Sequence, residues 1–302
     1  MIKVVFFFEN EWAFGAVHNE LAKHLFKFGI SCQILHWAKQ YTRQEIQELD
    51  KSIDFWITNP YGARDGLMTY GIKPNRIGLI LHHPIEIGHL EEVTKNHHFL
   101  GVAAIERSMH NSLLEKGVEN VAFLPVRISV DHYRRNSPMP VELKRIGFAG
   151  ASRRSDPRVK RFFLVEQAAQ NLSMDLRVAD TYHNSWITNQ SFYSNVDAIV
   201  VASTSEGVGL PLMEGGAGGC LVLTSPVGCY EELITPKGAD VLPMEDGDFL
   251  KALQEKIHSY VQNPKEFRDR CEEIREHAKT YDWSYVIHLW REQFEKFNFL
   301  RT

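Results

Sequence analysis

Apolar residues along the chain form two kinds of pattern, short continuous runs and longer stretches with helical spacing. The run Ile2–Phe8 is typical of a strand buried on both faces of a parallel sheet. The apolar positions of the next stretch recur at helical spacing: Val17, Leu21, Ala22, Leu25 and Phe28. Gly29 is placed to end that predicted helix.

The alternation of strand and helix continues through both halves of the chain. In the first half it predicts five further strands, Ser31–His36, Phe55–Thr58, Ile77–Leu81, Val102–Ile105 and Val121–Leu124. A second series begins at Arg145–Gly150 and continues with a helix over about 159–171, three strands near 176–179, 198–202 and 220–224, and a helical tail from about 248 to 299. This order predicts two Rossmann-like, doubly wound α/β domains.

A segment rich in Pro, Arg and Ser, residues 126–142, separates the two series and is interpreted as a linker. We therefore expect an N-terminal domain over residues 1–142 and a second domain over 143–280, facing each other across a cleft. Ligands of such sheets bind beyond the carboxyl ends of the strands. The candidate chemistry should therefore follow predicted strands.

Composition narrows the class of protein without identifying its function. The 302 residues, 44% of them hydrophobic and 24% charged, are typical of a soluble globular chain. No apolar run approaches the roughly 20 residues of a membrane-spanning helix, and the start lacks a signal-peptide pattern. The four cysteines share no metal-type spacing, which favours reduced thiols in a cytoplasm. A net charge of −4 argues against general nucleic-acid binding.

The segment 205–214, with the sequence SEGVGLPLME, carries most of the chemical information. It follows a predicted strand, and its glycines allow the backbone to approach a ligand closely. Pro211 suits the first turn of a helix, whose N-terminus favours phosphate or sugar oxygens. Glu206 and Glu214 supply two carboxylates that can each accept hydrogen bonds from a set of hydroxyls. The alternative is that both are solvated residues at a helix edge.

The two glutamates, separated by seven residues in this context, resemble the motif of the retaining glycosyltransferases of family 4, which have the GT-B fold. Segments on either side, 192–198, 219–224 and 228–234, are similar to the family as well. The resemblance implies that Glu214 accepts the ribose hydroxyls of a nucleotide-sugar donor. It also implies that Glu206 holds the donor sugar, together with the backbone N–H groups of Gly207, Val208, Gly209 and Leu210.

A basic cluster follows Gly150 and comprises Arg153, Arg154, Arg158, Lys160 and Arg161. In the family, an arginine and a lysine in this region contact the donor diphosphate. Fixed cations there stabilise the negative charge that builds on the leaving diphosphate. Arg153 and Lys160 are our choices for this role, with Arg154 and Arg158 as further donor-site candidates. The alternative is an exposed helix start with surplus cations.

The first domain offers weaker candidates. His82 and His83 follow a predicted strand and resemble the family's histidine near the donor sugar, with His82 slightly favoured for catalysis and His83 as a donor contact. Gly15, in a predicted loop after the first strand, stands where the family keeps glycines near the diphosphate. Glu9, Asn10 and Glu11 in that loop are candidate acceptor contacts.

Two motifs are interpreted as structural. Asp246-Gly247-Asp248 has the form of a metal-binding motif of another glycosyltransferase fold, but it stands before a predicted helix, where an N-cap is expected. The glycine-rich segment 215–219 resembles a dinucleotide loop but does not follow a strand, so tight helix packing is expected. The sequence also departs from the family at Val208, Leu221 and Glu231, and the chain is short for it.

The resemblance implies a retaining, metal-independent glycosyltransferase that moves a sugar from a nucleotide diphosphate donor, UDP- or GDP-linked, to the hydroxyl of a glycan or lipid-linked acceptor. No cofactor is expected. The segment 281–302 would cross back to pack on the first domain. The expected location is the cytoplasm, with the inner face of a membrane left open. Alternatives are a catalytically silent sugar-nucleotide-binding subunit, a sugar-nucleotide epimerase or an inverting transferase.

Overall fold

A computed structural model describes residues 1–8, 12–150, 157–180, 189–233 and 239–300 of the chain. These residues form two compact units. The first comprises Met1–Arg127 and Trp283–Thr302, and the second comprises Ile128–Asp282. The units thus divide at 127 and 282, where the sequence suggested 142 and 280, and the proline-rich segment after Arg127 belongs to the second unit.

The first unit is a six-stranded parallel sheet with helices between its strands. Its strands are β1 (Ile2–Phe8), β2 (Ile30–His36), β3 (Phe55–Thr58), β4 (Ile77–Leu81), β5 (Gly101–Ala104) and β6 (Ala122–Phe123). Its helices are α1 (Trp12–Phe26), α2 (Arg43–Ser52), α3 (Glu86–Thr94), α4 (Arg107–Glu115) and, at the end of the chain, α13 (Ile287–Leu300), with short helical turns at Gly62–Leu67, Pro74–Arg76 and Trp283–Tyr285.

The second unit is a five-stranded parallel sheet. Its strands are β7 (Arg145–Ala149), β8 (Asp175–Ala179), β9 (Ala198–Val201), β10 (Leu221–Thr224) and β11 (Ala239–Val241). Its helices are α5 (Val130–Tyr133), α6 (Pro157–Lys160), α7 (Phe162–Asn171), α8 (Asn189–Ser194), α9 (Leu210–Ala217), α10 (Tyr230–Leu233), α11 (Asp246–Gln262) and α12 (Pro264–Ala278), followed by a turn at Lys279–Tyr281. The predicted α/β class is confirmed, and the short elements β11, α5, α8 and α10 are additions to the predicted elements.

Both sheets have the same doubly wound strand order. The order is β2-β1-β3-β4-β5-β6 in the first unit and β11-β10-β9-β7-β8 in the second, so that each first strand lies between the second and the third. The direction in which the chain winds reverses at that point, between β1 and β3 and between β7 and β9. Ligands of open parallel sheets bind at the carboxyl ends of the strands beside such a reversal.

The helix predicted over about 159–171 is in fact two helices. Arg161 lies between α6 and α7 with a φ of 47°, in the left-handed region that side chains with a Cβ rarely adopt. The Arg161 side chain is buried and donates hydrogen bonds to the carbonyl oxygens of Ala202 and Met244. These bonds hold the break in place, and helical spacing alone could not reveal it.

The glycines of segment 215–219 pack as the sequence predicted. A Cβ on Gly215 would lie 2.8 Å from the Ile199 side chain on β9, and one on Gly218 would lie 2.9 Å from Tyr193 Cβ. Real Cβ atoms do not approach other atoms so closely. The small residues therefore let α9 lie directly on β9 and let its C-terminal end pack against α8.

Helix α13 completes the core of the first unit. Trp290, Phe294 and Phe297 are fully buried, and the indole N–H of Trp290 donates to the carbonyl oxygen of Pro125 at 2.9 Å. Phe297 lies over Gly78 and Gly101, where a Cβ would stand only 2.8 and 2.7 Å from its ring. The last helix of the chain is thus part of the first unit's core.

We expect Phe297→Ala to destabilise the first unit by about 3–5 kcal/mol, because it removes a buried ring and leaves a cavity. Phe299→Ala on the same helix is the matched control, since Phe299 is 77% exposed and Phe297 is fully buried. The control should change stability by less than about 0.5 kcal/mol. Urea denaturation followed by circular dichroism measures both. Equal effects of the two substitutions would contradict this packing.

Candidate functional site

An ion pair stands at the carboxyl edge of the second sheet. The Lys160 ammonium nitrogen lies 2.6 Å from Glu206 Oε1, and both side chains are mostly buried, with 27% and 15% of their surface exposed. Glu206 follows β9, and Lys160 ends α6, which follows β7. These are the two strands between which the winding reverses. The structure thus brings together two residues that the sequence indicated separately.

Backbone contacts fix the distance between these two loops. The Thr204 N–H donates to the carbonyl oxygen of Val159 at 2.8 Å, and the Thr204 hydroxyl donates to that of Arg158 at 3.3 Å. Lys160 and Glu206 flank this contact. These hydrogen bonds therefore bring Lys160 and Glu206 close together, and the attraction between their opposite charges adds to this.

Two serines, linked by hydrogen bonds, hold the side chain of Glu206 in place. The Ser203 hydroxyl donates to Glu206 Oε1 at 2.6 Å, and the Ser225 hydroxyl donates to the Ser203 carbonyl oxygen at 2.5 Å. Ser203 and Ser225 are buried at the ends of β9 and β10. Oε1 of Glu206 thus accepts from a neutral hydroxyl and from the Lys160 ammonium group.

The turn between Glu206 and α9 is built for close backbone packing. Gly209 adopts a φ of 76°, directly before the first residue of the helix. A Cβ on Gly228 would lie 2.4 Å from the Val208 carbonyl oxygen, which accepts a hydrogen bond from the Cys229 N–H at 3.0 Å. Pro211 stands in the first turn of α9, as predicted. The backbone donors predicted from the sequence are buried in this turn: Gly207, Val208, Gly209 and Leu210.

Glu214 lies on α9 and is 5% exposed. The hydroxyl of Tyr193, itself fully buried, donates to its Oε2, and the side chain of Tyr133 also bonds to the carboxyl group. Burial raises the pKa of Glu214, and the two tyrosines partly oppose this rise. Glu214 is therefore held inside the second unit by two phenols that the sequence motif does not include.

The described residues of the basic cluster lie in different environments. Lys160 pairs with Glu206, the Arg158 side chain is exposed, and the Arg161 guanidinium is buried against Ala202, Met244 and Phe249. Arg153 and Arg154 lie outside the described residues. Of the five predicted cations, one is thus placed at the candidate site and one is structural.

The DxD-like segment has a different role from the predicted one. Helix α11 begins at Asp246, and its N-cap is Glu245, whose side chain makes no cap hydrogen bond. Asp246 Oδ1 instead accepts from the Arg161 guanidinium at 2.9 Å. The predicted N-cap within this segment is therefore wrong, because the segment already lies inside the helix. Asp246 and Asp248 are in its first turn, where the helix dipole favours negative charge.

In the first unit, His82 is buried against a second histidine. His82 Nε2 lies 3.3 Å from Nε2 of His18 on α1, and His82 Nδ1 lies 3.1 Å from the carbonyl oxygen of Ile80. A carbonyl oxygen only accepts, so Nδ1 of His82 carries the proton and its Nε2 accepts from His18. Burial lowers the pKa of His82 to about 3 and holds the pKa of His18 well below its usual value. Both rings are therefore neutral at physiological pH.

The other first-unit candidates are placed as follows. His83 is half-buried, and its Nδ1 accepts from the Ile85 N–H at 3.3 Å. Gly15 was predicted in a loop but lies in α1, where its carbonyl oxygen accepts from the Asn19 side chain at 2.7 Å. The helix begins at Trp12, earlier than the apolar spacing suggested. Glu9, Asn10 and Glu11 lie outside the described residues.

Groups of three or more metal-ligating side chains are absent from the part of the chain that the structure describes. The four cysteines are free thiols, and burial raises the pKa of Cys220 to about 11. No helix within the described ranges is long and apolar enough to cross a bilayer.

The sequence did not indicate several residues that lie around Glu206 and Glu214 in the second unit or around the His82–His83 turn in the first. They are His18, Asn59, Glu86, Tyr133, Ser203 and Ser225. Ser203 and Asn59 each stand within two residues of the end of an apolar strand, a position that could have marked them. Tyr133 and His18 come from helices distant in sequence, and no local pattern points to their contacts.

Comparisons with known proteins agree with this architecture. Residues 164–279 match the sequence profile of the family described as glycosyl transferases group 1. This range includes Glu206 and Glu214 and begins four residues after Lys160. No curated protein matches the chain in sequence.

Solved structures match over nearly the full length. Sucrose-phosphate synthase from Thermosynechococcus elongatus superposes with a TM-score of 0.71 at 12% identity, over 98% of this chain and 100% of that one. The fold is GT-B. A glycosyltransferase from Rickettsia africae gives a TM-score of 0.71 at 13% identity, over 98% of each chain. HepE from Anabaena, solved with UDP and glucose, gives 0.67 at 10% identity, over 98% of this chain and 99% of that one.

We expect both buried histidines to remain neutral between about pH 5 and pH 8, with the proton of His82 on Nδ1 and that of His18 on Nε2. Two-bond ¹H–¹⁵N correlation spectra of the imidazole rings report tautomer and charge directly. His18→Gln and His82→Gln assign the signals. Protonation of either ring near its ordinary pKa of about 6.5, or the opposite tautomer of His82, would contradict the hydrogen-bond arrangement.

Proposed function

We propose that the chain is a retaining glycosyltransferase that moves a sugar from a UDP- or GDP-linked donor to a hydroxyl of a glycan or lipid-linked acceptor. The observation that carries this proposal is the pairing of Lys160 with Glu206 at 2.6 Å, beside the strand reversal of the second sheet and before α9. The group 1 profile match over residues 164–279 supports it.

The ion pair offers complementary groups to a nucleotide sugar. A lysine ammonium has three N–H donors, so Lys160 can bond to Glu206 and still donate to a phosphate oxygen. A cation fixed there would stabilise the negative charge that develops on the leaving diphosphate. The carboxylate of Glu206 would accept hydrogen bonds from the hydroxyls of the transferred sugar.

Glu214 would bind the ribose of the donor from within the second unit. An ionised carboxylate can accept about four hydrogen bonds. Tyr193 and Tyr133 account for two of these and leave capacity for the pair of ribose hydroxyls. The tyrosines would then fix the carboxylate in place before the donor arrives, which lowers the cost of ordering it on binding.

For the chemical step we propose retention without a metal and without a protein nucleophile. The phosphate oxygen that leaves the sugar would take the proton of the acceptor hydroxyl on the same face, and the acceptor oxygen would form the new bond to the anomeric carbon. Lys160 would stabilise the departing diphosphate. The nearest alternatives are a silent nucleotide-sugar-binding subunit, an epimerase and an inverting transferase. We place the protein in the cytoplasm, where a lipid-linked acceptor would bring it to the inner face of a membrane.

We expect one donor from a panel of UDP-, GDP-, ADP- and dTDP-sugars to raise the melting temperature in the presence of EDTA. A ligand at 100 times its dissociation constant stabilises a protein by about 2.7 kcal/mol, which is several degrees for a unit of this size. Lys160→Met and Glu206→Gln should each weaken donor binding by about tenfold or more, since each removes a charged hydrogen-bonding partner.

Lys251→Met and Glu255→Gln make the same chemical changes at exposed positions of α11 and are the matched controls. Both should keep the full shift. An absence of any shift across the panel, or a shift that appears only with an added divalent metal, would contradict the proposed donor site.

We expect the transferred sugar to keep its anomeric configuration. With the donor found above and a panel of acceptor alcohols, the coupling constant of the new anomeric proton in ¹H NMR distinguishes the two outcomes. Inversion would identify an inverting transferase, and a changed sugar without an acceptor would identify an epimerase. A donor that binds but is neither transferred nor hydrolysed would identify a silent binder.

A further inference from the structure

A carboxyl group that the proposed reaction does not use is buried at the carboxyl edge of the first sheet. Glu86 is the first residue of α3 and is 3% exposed. It follows the turn after β4 that carries His82 and His83. A buried carboxyl group is costly unless its oxygens are hydrogen-bonded. Its partners therefore indicate what it holds in place.

Glu86 bonds to the backbone of that turn. Its Oε2 accepts from the His82 N–H at 2.6 Å and from the His83 N–H at 3.4 Å. These two N–H groups belong to the two histidines that the sequence indicated as candidates. One carboxylate oxygen thus holds the backbone of both histidines, and this backbone determines where their imidazole rings lie.

The other oxygen of Glu86 ties the turn to the neighbouring strand. Oε1 accepts from the side-chain amide of Asn59 at 2.7 Å, and Oδ1 of Asn59 accepts from the Gly62 N–H at 2.8 Å. Asn59 directly follows β3, the strand beside the winding reversal of this sheet. The amide of Asn59 is therefore fixed in orientation, with its oxygen toward Gly62 and its nitrogen toward Glu86.

Among the described residues, the hydrogen-bond partners of Glu86 are two backbone N–H groups and one amide, and none of them is a cation. Burial raises the pKa of Glu86 to about 7, against the lowering effect of these three bonds. The titratable groups nearby are the neutral ring of His82, the ring of His83 and the Tyr61 hydroxyl, whose pKa is raised by burial and by Glu86 itself. Glu86 can therefore change charge near neutral pH.

We propose that Glu86, clamped by Asn59, is a positioning residue that sets the His82–His83 turn for the transfer reaction. This inference rests on the proposed function, because the turn matters for catalysis only if the first unit contributes to sugar transfer. Glu86 itself touches no reacting atom in this proposal. It acts through the backbone of the turn, whose geometry places the two imidazoles.

The chain offers a test in which the hydrogen bond is broken and then restored with its direction reversed. All partners of Glu86 are donors, and Glu86→Gln has only one acceptor oxygen to offer them. Its NH₂ must therefore face either the Asn59 amide or the N–H groups of the turn, and the clamp is broken. The double variant combines Asn59→Asp with Glu86→Gln. Its new carboxylate at position 59 accepts from both the new amide at position 86 and the Gly62 N–H, so the clamp forms again. Glu91→Gln, an exposed position of the same helix, is the matched control.

We expect the backbone amides of His82 and His83 to titrate with a midpoint near pH 7 in ¹⁵N spectra of the wild type, and to lose this response in Glu86→Gln. In transfer assays the single variant should lower kcat by about tenfold or more and leave the KM for the donor within about twofold, because misplacement of reacting groups acts on the chemical step. The double variant should recover kcat to within about threefold of the wild type.

Three results would overturn the proposal. One is an unchanged kcat and unchanged His82 and His83 amide shifts in Glu86→Gln. The second is a failure of the double variant to recover kcat although its amide shifts return. The third is an equal loss of kcat in Glu91→Gln. If the wild type transfers no sugar, the proposed function fails, and the assignment of Glu86 to this reaction fails with it, while the amide titration separately reports whether the clamp exists.

Discussion

Strands buried on both faces leave no room for charged side chains, and this constraint organises the whole chain. Every residue of β3, β4, β9 and β10 is buried, and among their side chains only Thr58 and Thr224 carry a hydroxyl and none carries a charge. Polar and charged groups are therefore found beyond the ends of these four strands or on the helices beside them. In parallel sheets these ends gather along one edge. The side chains in such positions are Glu206, Ser203, His82 and Asn59.

The two units handle polar groups at this edge in different ways. The second unit pairs opposite charges, with Lys160 on Glu206, and leaves part of both side chains exposed. The first unit excludes charge from its histidine pair, since His18 and His82 are held neutral by burial and bonded to each other. The Lys160–Glu206 pair therefore keeps charged groups partly exposed to solvent, whereas the neutral histidine pair has the orientation of its few donors and acceptors fixed by burial.

Buried polar side chains also fix the backbone around the second site. Arg161 occupies a left-handed conformation between α6 and α7, and its guanidinium is bonded to the end of β9 and to the start of α11. The residue before it is Lys160, so the break in the helix determines where the ammonium group points. Arg161 thus contributes to the site indirectly, because it fixes the backbone next to Lys160.

The sequence by itself determined the strands from β1 to β10 and their parallel class, because apolar runs are local signals, but it missed β11. It also indicated the segment from Glu206 to Glu214, and the GT-B architecture followed from the family resemblance of that segment. It also indicated Lys160 as one of five similar cations. Only the tertiary structure decided which cation meets Glu206, that Tyr133 and Tyr193 hold Glu214, that His18 meets His82, and that Glu86 and Asn59 clamp the turn. These contacts join residues from separate elements, and their geometry depends on how helices pack on the sheets, which no local pattern records.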